Sequence, residues 1–125
     1  MANNIKFNVK INNSKCNEIQ KKVEKALFLT AEALHTEVVQ AQVMPFDTGN
    51  LQNESTYVEK VNDKKVQLKS VTPYAKRLYY HPEYKFSKAS NKHAQGRWLE
   101  RWISGSEKGW CQETFAKLLK KLLGD

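Results

Sequence analysis

Ile5, Phe7, Val9 and Ile11 alternate with Lys6, Asn8, Lys10 and Asn12. That period of two predicts a half-buried strand over 5–11, and the β-branched residues favour it. Asn12, Asn13 and Ser14 then supply a turn and a helix cap. Beyond them Ile19, Val23, Leu27, Ala31, Leu34 and Val38 recur at helical spacing, with Glu18, Lys22, Glu24, Lys25, Glu32 and Glu37 largely between them. The pattern predicts an amphipathic helix over about 15–43, ~43 Å long at 1.5 Å per residue. Phe28, Leu29, Val39 and Val43 widen its apolar stripe beyond one facing layer. A helix apolar on more than one side lies deep in a core or meets a second surface, such as a neighbouring subunit.

The helix runs into MPFDTGNL, residues 44–51. Pro45 has no backbone N–H and pushes Met44 out of the helical region, so the helix is expected to stop near Val43. Asp47 and Thr48 can bond nearby backbone, and Gly49 accepts positive φ without steric cost. With Leu51 closing it, the stretch is expected to form a rigid corner. Glu54 to Val61 and Lys65 to Val71 follow as two strands, and Asn62-Asp63-Lys64 between them predicts a hairpin over about 54–71. Thr72-Pro73 is a good helix start, with Thr as cap and Pro at the first helical position. It leads into YAKRLYYH, a short helix or turn carrying Tyr74, Leu78, Tyr79 and Tyr80.

HPEYKFSKASNKHAQG, residues 81–96, has little apolar periodicity and predicts a long extended loop. Such loops inside a compact domain tend to be functional or mobile. RWLERWI resumes a helical pattern, placing Trp98 and Trp102 four apart on one face. SGSEKG interrupts it, with capping-box spacing between Ser104 and Glu107. A last helix over about 106–123 is expected to bury Cys111, Phe115, Leu118 and Leu122, with Lys117, Lys120 and Lys121 complementing its dipole. The expected fold class is α+β: a long N-terminal helix on a small antiparallel sheet, with a C-terminal helix, as one domain over 1–125.

Charge adds a direction to this outline. The net charge is +8, and residues 76–125 carry 11 Lys/Arg against 5 Asp/Glu, whereas residues 1–75 carry 10 against 8. Most of the excess lies in 76–97, where Lys76, Arg77, Lys85, Lys88, Lys92 and Arg97 face only Glu83. A patch of this sign attracts DNA phosphates or an acidic protein surface, or simply solubilises the fold. The aromatic rings interleaved with it, Tyr79, Tyr80 and Trp98, can stack on bases, anchor a protein interface or pack onto the chain's own sheet. No apolar run is long enough to span a membrane. MANNIKFNVK lacks the pattern of a signal peptide, so synthesis in the cytoplasm is expected, with Cys16 and Cys111 as free thiols.

Catalytic constellations are thin. His35, His81 and His93 fit no metal-ligand spacing. Cys111 falls on the apolar face of a helix, which suits a core thiol rather than a nucleophile. Asp47 with Glu54 suggests an acid–base or cation pair, but a DTG turn calls for a capping aspartate in any case. The same tripeptide carries the catalytic aspartate of aspartic proteases, where it follows an apolar strand rather than a Pro-terminated helix. No Gly-rich phosphate loop is present, and no cofactor is expected.

The order of these motifs is more informative than any one of them. An amphipathic helix, MPFDTGNL, a hairpin, TPYAKRLYYH and finally RWLERW resemble, over roughly residues 15–120, the minor capsid or head–tail joining proteins of tailed bacteriophages. SGSEKGW departs from that family, whose late helix often runs on unbroken. The resemblance implies a structural, non-enzymatic subunit of the neck that joins the DNA-filled head to the tail. It implies a homo-oligomeric ring, naturally of six or twelve copies, made in the host cytoplasm and retained in the virion. Implied neighbours are a connector or head-closure ring and tail terminator or tail tube proteins, with non-specific contact to packaged double-stranded DNA. On this reading Pro45, Asp47, Thr48, Gly49 and Leu51 fix the angle between two packing surfaces. Phe28, Leu29, Val39, Tyr74, Arg77, Tyr79, Tyr80 and Trp98 are interface candidates. Lys76, Arg77, Lys85, Lys88, Lys92 and Arg97 reach a neighbouring ring or the DNA. The alternatives are a small nucleic-acid-binding protein using the 76–97 patch, or an assembly factor not retained in the particle.

A left-handed Gly49 predicts that Gly49→Val lowers stability by ~1 kcal/mol or more. A melting curve checks this, and an unchanged midpoint contradicts the conformation.

Overall fold

Asn12 caps the first helix as its residue type predicts: its side-chain Oδ1 accepts the Lys15 N–H at 3.0 Å. The computed structural model describes residues 12–45, 51, 55–71 and 74–124. The strand expected at 5–11, most of the corner (Asp47, Thr48 and Gly49 included) and the Thr72-Pro73 cap lie outside the described residues. Helix α1 (Asn13–Gln40) has 28 residues, about 42 Å at 1.5 Å per residue. Strands β1 (Thr56–Asn62) and β2 (Lys65–Ser70) pair antiparallel into a two-stranded sheet. Among the described residues, three further helices of several residues follow: α2 (Ala75–Tyr80), α3 (Glu100–Ile103) and α4 (Trp110–Leu122). The α+β class and the order of its parts agree with the sequence.

The hairpin's register pairs Thr56 with Ser70, Val58 with Leu68 and Lys60 with Val66, with a bulge between Lys60 and Asn62. Asn62 Oδ1 accepts the Lys64 N–H at 2.8 Å, the local bond expected of an Asx turn. Two-stranded sheets are marginal alone, so this one depends on α1, against which both strands pack. Helix α4 packs on α1 as well. The wide stripe of α1 is thus shared between two covers within one chain, while Ile19 and Phe28 remain 41 % and 36 % exposed.

Helix α1 stops earlier than Pro45 dictates. Ala41 caps it, and Gln42 has a φ of 56°, in the left-handed region that glycine usually occupies. The cause lies fifty residues on. The carbonyls of Gln42, Val43 and Met44 point at the loop, and all three are taken: His93 N–H donates to Gln42 at 3.0 Å, Gln95 N–H to Val43 at 3.0 Å, and Asn91 Nδ2 to Met44 at 2.8 Å. Val43 and Met44 are fully buried, so those carbonyls have no access to water and need these donors.

The loop is therefore not extended. Arg97 N–H donates to the Tyr79 carbonyl at 2.8 Å, and a Cβ on Gly96 would stand 2.7 Å from the Pro82 Cα. Only glycine allows the two ends to approach so closely. Residues 82–96 form a closed loop of the Ω kind. Its second half is docked on the end of α1, with Asn91 and Ala94 buried, and its first half faces solvent.

The core gathers around this junction. Val38, Val43, Met44, Leu51, Ala75, Trp98 and Trp102 form one buried cluster, with Leu34, Leu68, Leu78, Tyr79, Leu99 and Trp110 packed on its rim. Met44 and Leu51, at the two ends of the corner, are both core residues. Thr56 Oγ1 donates to the Leu51 carbonyl and lies 2.7 Å from Ser70 Oγ, tying the hairpin's open end to the cluster.

The C-terminal third departs from expectation. Trp98 and Trp102 are buried, but only residues 100–103 are helical between them. The Ser104–Glu107 capping box does not form. Ser104 Oγ instead bonds Glu100 Oε1 at 3.0 Å, and Glu107 N–H donates to the Arg101 carbonyl at 2.9 Å, closing a turn that ends α3. Helix α4 starts only at Trp110, with Lys120 and Lys121 in its last turn. It contains no buried residue: Cys111, Phe115, Leu118 and Leu122 are half-covered rather than buried.

Replacing Asn91 with Ala removes the side-chain donor to the buried Met44 carbonyl. We expect Asn91→Ala to lower unfolding free energy by roughly 1–3 kcal/mol, read from denaturant titration. An unchanged midpoint contradicts the anchoring role.

Candidate interaction surface

Helix α2 and the turn before α3 bring Lys76, Tyr79, Tyr80, Arg97 and Trp98 together. Tyr79 sits edge-on between Tyr80 and Trp98, with ring centroids 5.1 and 4.8 Å away. Trp98, named as an interface candidate, is only 3 % exposed and belongs to the core of the chain. Its ring is the floor on which Tyr79 stands. Burial lifts the Tyr79 phenol above its ordinary value, Glu100 and Tyr80 add to the rise, and Arg97 opposes it. Tyr79 is therefore neutral at physiological pH.

Tyr80 points outward at 54 % exposure, and the Arg97 guanidinium lies 5.3 Å from its ring centroid. Arg97 reaches it from a strained backbone, φ 48°, held by the bond to Tyr79. A cation held over an exposed ring presents charge and a flat apolar surface together. Beside this pair Leu68, Ser70, Ala75, Lys76, Tyr79 and Leu99 help to line an open cleft of about 420 Å³. Lys76, Arg77, Lys85, Lys88, Lys92 and Arg97 are all exposed, as is Tyr74.

At the mouth of the loop His81 stacks on Tyr84, centroids 4.7 Å apart and planes 8° from parallel. Its Nδ1 lies 2.7 Å from Glu83 Oε1, and this bond holds the Glu83 carboxyl below its ordinary range, helped by a backbone N–H. Glu83, the acid within the basic segment, is thus occupied by His81 while the lysines face outward.

The other candidates are scattered. Pro45 is half-buried and Leu51 buried, both at the core junction. Phe28 is on the exposed side of α1, whereas Leu29 and Val39 are half-covered. Val39 lines a shallow hollow with His35, Thr36 and Gln40. Sharing Leu68 with the cleft, a mainly apolar gap of about 340 Å³ is lined by Leu27, Ala31 and Leu34 of α1, Val66 of β2 and Cys111 and Phe115 of α4. Burial pushes the Cys111 thiol up, away from the thiolate form that nucleophilic chemistry requires. Both cysteines are free thiols. Among the described residues no three His, Cys, Asp or Glu side chains are grouped to hold a metal ion, and no helix is long and apolar enough to cross a membrane.

Sequence reasoning missed Gln42, Asn91 and Gln95, the polar residues that fix where the loop lies. The signal available was a run of side chains and backbone with hydrogen-bonding capacity beside a helix end, which does not specify its partner.

No protein-family model, curated protein or solved structure matches this chain.

Because the folded pKa of Glu83 is lowered, its bond to His81 is fully present above the ordinary glutamate value of 4.5 and is lost as pH falls below it. Removing the ring in His81→Ala should return the Glu83 titration toward 4.5, followed by NMR. A titration identical in both chains contradicts the pairing.

Proposed function

We propose that this chain is a structural subunit of a tailed-bacteriophage neck, assembling with copies of itself into a ring between the DNA-filled head and the tail. The reading takes its phage context from the motif order MPFDTGNL, TPYAKRLYYH and RWLERW. The observation that carries self-assembly is apolar surface exposed among the described residues. Helix α4 has no buried residue although Phe115, Leu118, Leu119 and Leu122 repeat along it. Ile19, Phe28, Tyr57, Val61, Val71, Tyr74, Tyr80, Tyr84, Ile103 and Leu123 are also exposed. Among the described residues the buried apolar cluster is small beside the exposed set, which suits a subunit that completes its burial against neighbours.

In a closed ring each subunit offers two unlike surfaces to its neighbours. The apolar side of α4 and the exposed residues of α1 supply material for them. The first half of the 82–96 loop, with Lys85 and Lys88 outward, then projects toward an adjacent connector or tail ring, or toward packaged DNA. Such a subunit works by shape and assembly in the virion, without catalysis. A second reading, sequence-independent nucleic-acid binding, is favoured by the Arg97–Tyr80 pair beside the lysines. It predicts free-DNA affinity that falls steeply with salt, whereas a ring subunit binds free DNA weakly and self-associates.

Lys85, Lys88 and Lys92 are exposed, so replacing all three with Glu should change the melting temperature little. Heads and tails made with this variant are expected to accumulate unjoined, counted by electron microscopy. Normal joining overturns the role of the loop.

A further inference from the structure

We propose that the cleft between β2, α2 and the turn before α3 is a docking site for an acidic peptide segment of a different protein. A large apolar side chain of that segment enters the cleft, and its carboxylates pair with Lys76 and Arg97. The site goes beyond the neck reading and neither needs it nor falls with it.

The lining supplies the apolar half of this recognition. Leu68 of β2, Ala75 of α2 and Trp98 and Leu99 before α3 border the cleft together with Tyr79 and Tyr80. Its volume of about 420 Å³ falls in the range of pockets that hold ligands, roughly 300–1,000 Å³. Polar groups on its walls are already engaged. Ser70 Oγ lies 2.7 Å from Thr56 Oγ1, and the Tyr79 phenol takes a backbone hydrogen bond from Leu99. Inside, the cleft therefore offers apolar contact.

Around it the charge is of one sign. Lys76 lines the cleft and is exposed. Arg97, exposed as well, is tied to it through Tyr80, whose ring centroid lies 5.3 Å from the guanidinium. Among the described residues no acidic side chain lines the cleft, and neither cation has an ion-pair partner. Glu100, whose charge reaches the Tyr79 phenol, has its Oε1 bonded to Ser104 Oγ at 3.0 Å. An acidic occupant balances this arrangement, and arginines are common readers of acidic peptide motifs. Arg97 is moreover held in a backbone conformation that costs free energy, with φ 48° in the left-handed region. An arginine kept where glycine would sit without strain points to a use for its side chain.

An unpaired nucleobase is a rival occupant, and the rings argue against it. Single strands are held by stacking successive bases on free aromatic faces. Tyr79 sits edge-on against both Tyr80 and Trp98, and Trp98 is buried. Tyr80 is then the one exposed ring of the cleft, and it already carries a guanidinium. A second copy of the chain is the other rival. Its net charge of +8 opposes its approach to a cationic border.

The full chain is screened against a library of random short peptides displayed on yeast. Enriched peptides are synthesised and their affinity is measured by calorimetry. They are expected to combine Asp or Glu with a large apolar residue. Arg97→Gly, which adopts the left-handed φ freely, and Lys76→Glu are each expected to weaken binding about tenfold or more. Melting temperature controls for folding. Lys85→Glu changes the net charge as Lys76→Glu does, at a residue that does not line the cleft, and is expected to leave the affinity little altered. No enrichment, enrichment without acidic residues, or equal binding by the folded variants overturns the site. So does an oligothymidylate that displaces the peptide and binds more tightly, which makes the occupant a nucleic acid. Loss of self-association in both variants makes it a second copy and likewise overturns the assignment.

Discussion

Three consecutive carbonyls, those of Gln42, Val43 and Met44, follow the end of α1, and the residues of the last two are fully buried. Their need for donors organises much of the molecule. Buried backbone acceptors are costly when unpaired, and here the donors come from a segment about fifty residues away, His93, Gln95 and the Asn91 side chain. That docking puts Gln42 into a left-handed conformation, closes the 82–96 loop and sets Trp98 and Trp102 against Val43, Met44 and Leu51. The basic half of the loop is held out from the same anchor. The hydrogen bonds thus position both the core and the surface.

The consequence for function is a division of labour along the chain. The end of α1, the corner residues Met44 and Leu51, and the two tryptophans make one well-filled cluster. Among the described residues the opposite end is much less buried: residues 13–21 of α1 are exposed, α4 has no buried residue, and an apolar gap lies between α1, β2 and α4. A molecule with one consolidated end and one unfinished end is suited to assembly, because the unfinished end gains most from a neighbour. On the proposed reading the consolidated end sets the direction of the basic loop and the unfinished end supplies ring contacts.

Local chemistry was legible in the sequence where its partners were also local. Asn12 as a cap, Asn62 in the hairpin turn, and the pairing of β1 with β2 all act across a few residues, and each takes its expected place. The stop of α1 was misplaced because Pro45 is a visible breaker, whereas Gln42 is left-handed only in the company of residues 92–95. The loop was read as extended because Asn91, Gln95 and Gly96 have the composition of solvated turns, and their distant partners leave no periodic trace. Trp98 and Trp102 were assigned to one helical face, and their shared burial survives, but a turn rather than a continuous helix brings them together. Of the interface candidates, Tyr80 and Arg97 are outward and adjacent, while Trp98 is interior.

The account is tested most directly by an electron cryomicroscopy map of the whole phage particle. It predicts a ring of identical subunits at the junction of head and tail. In each, the 82–96 loop is folded onto the end of its α1, and the α4 surface lies against a neighbouring copy. Particles that contain no copy of the chain, or a single copy making no contact with another, contradict it.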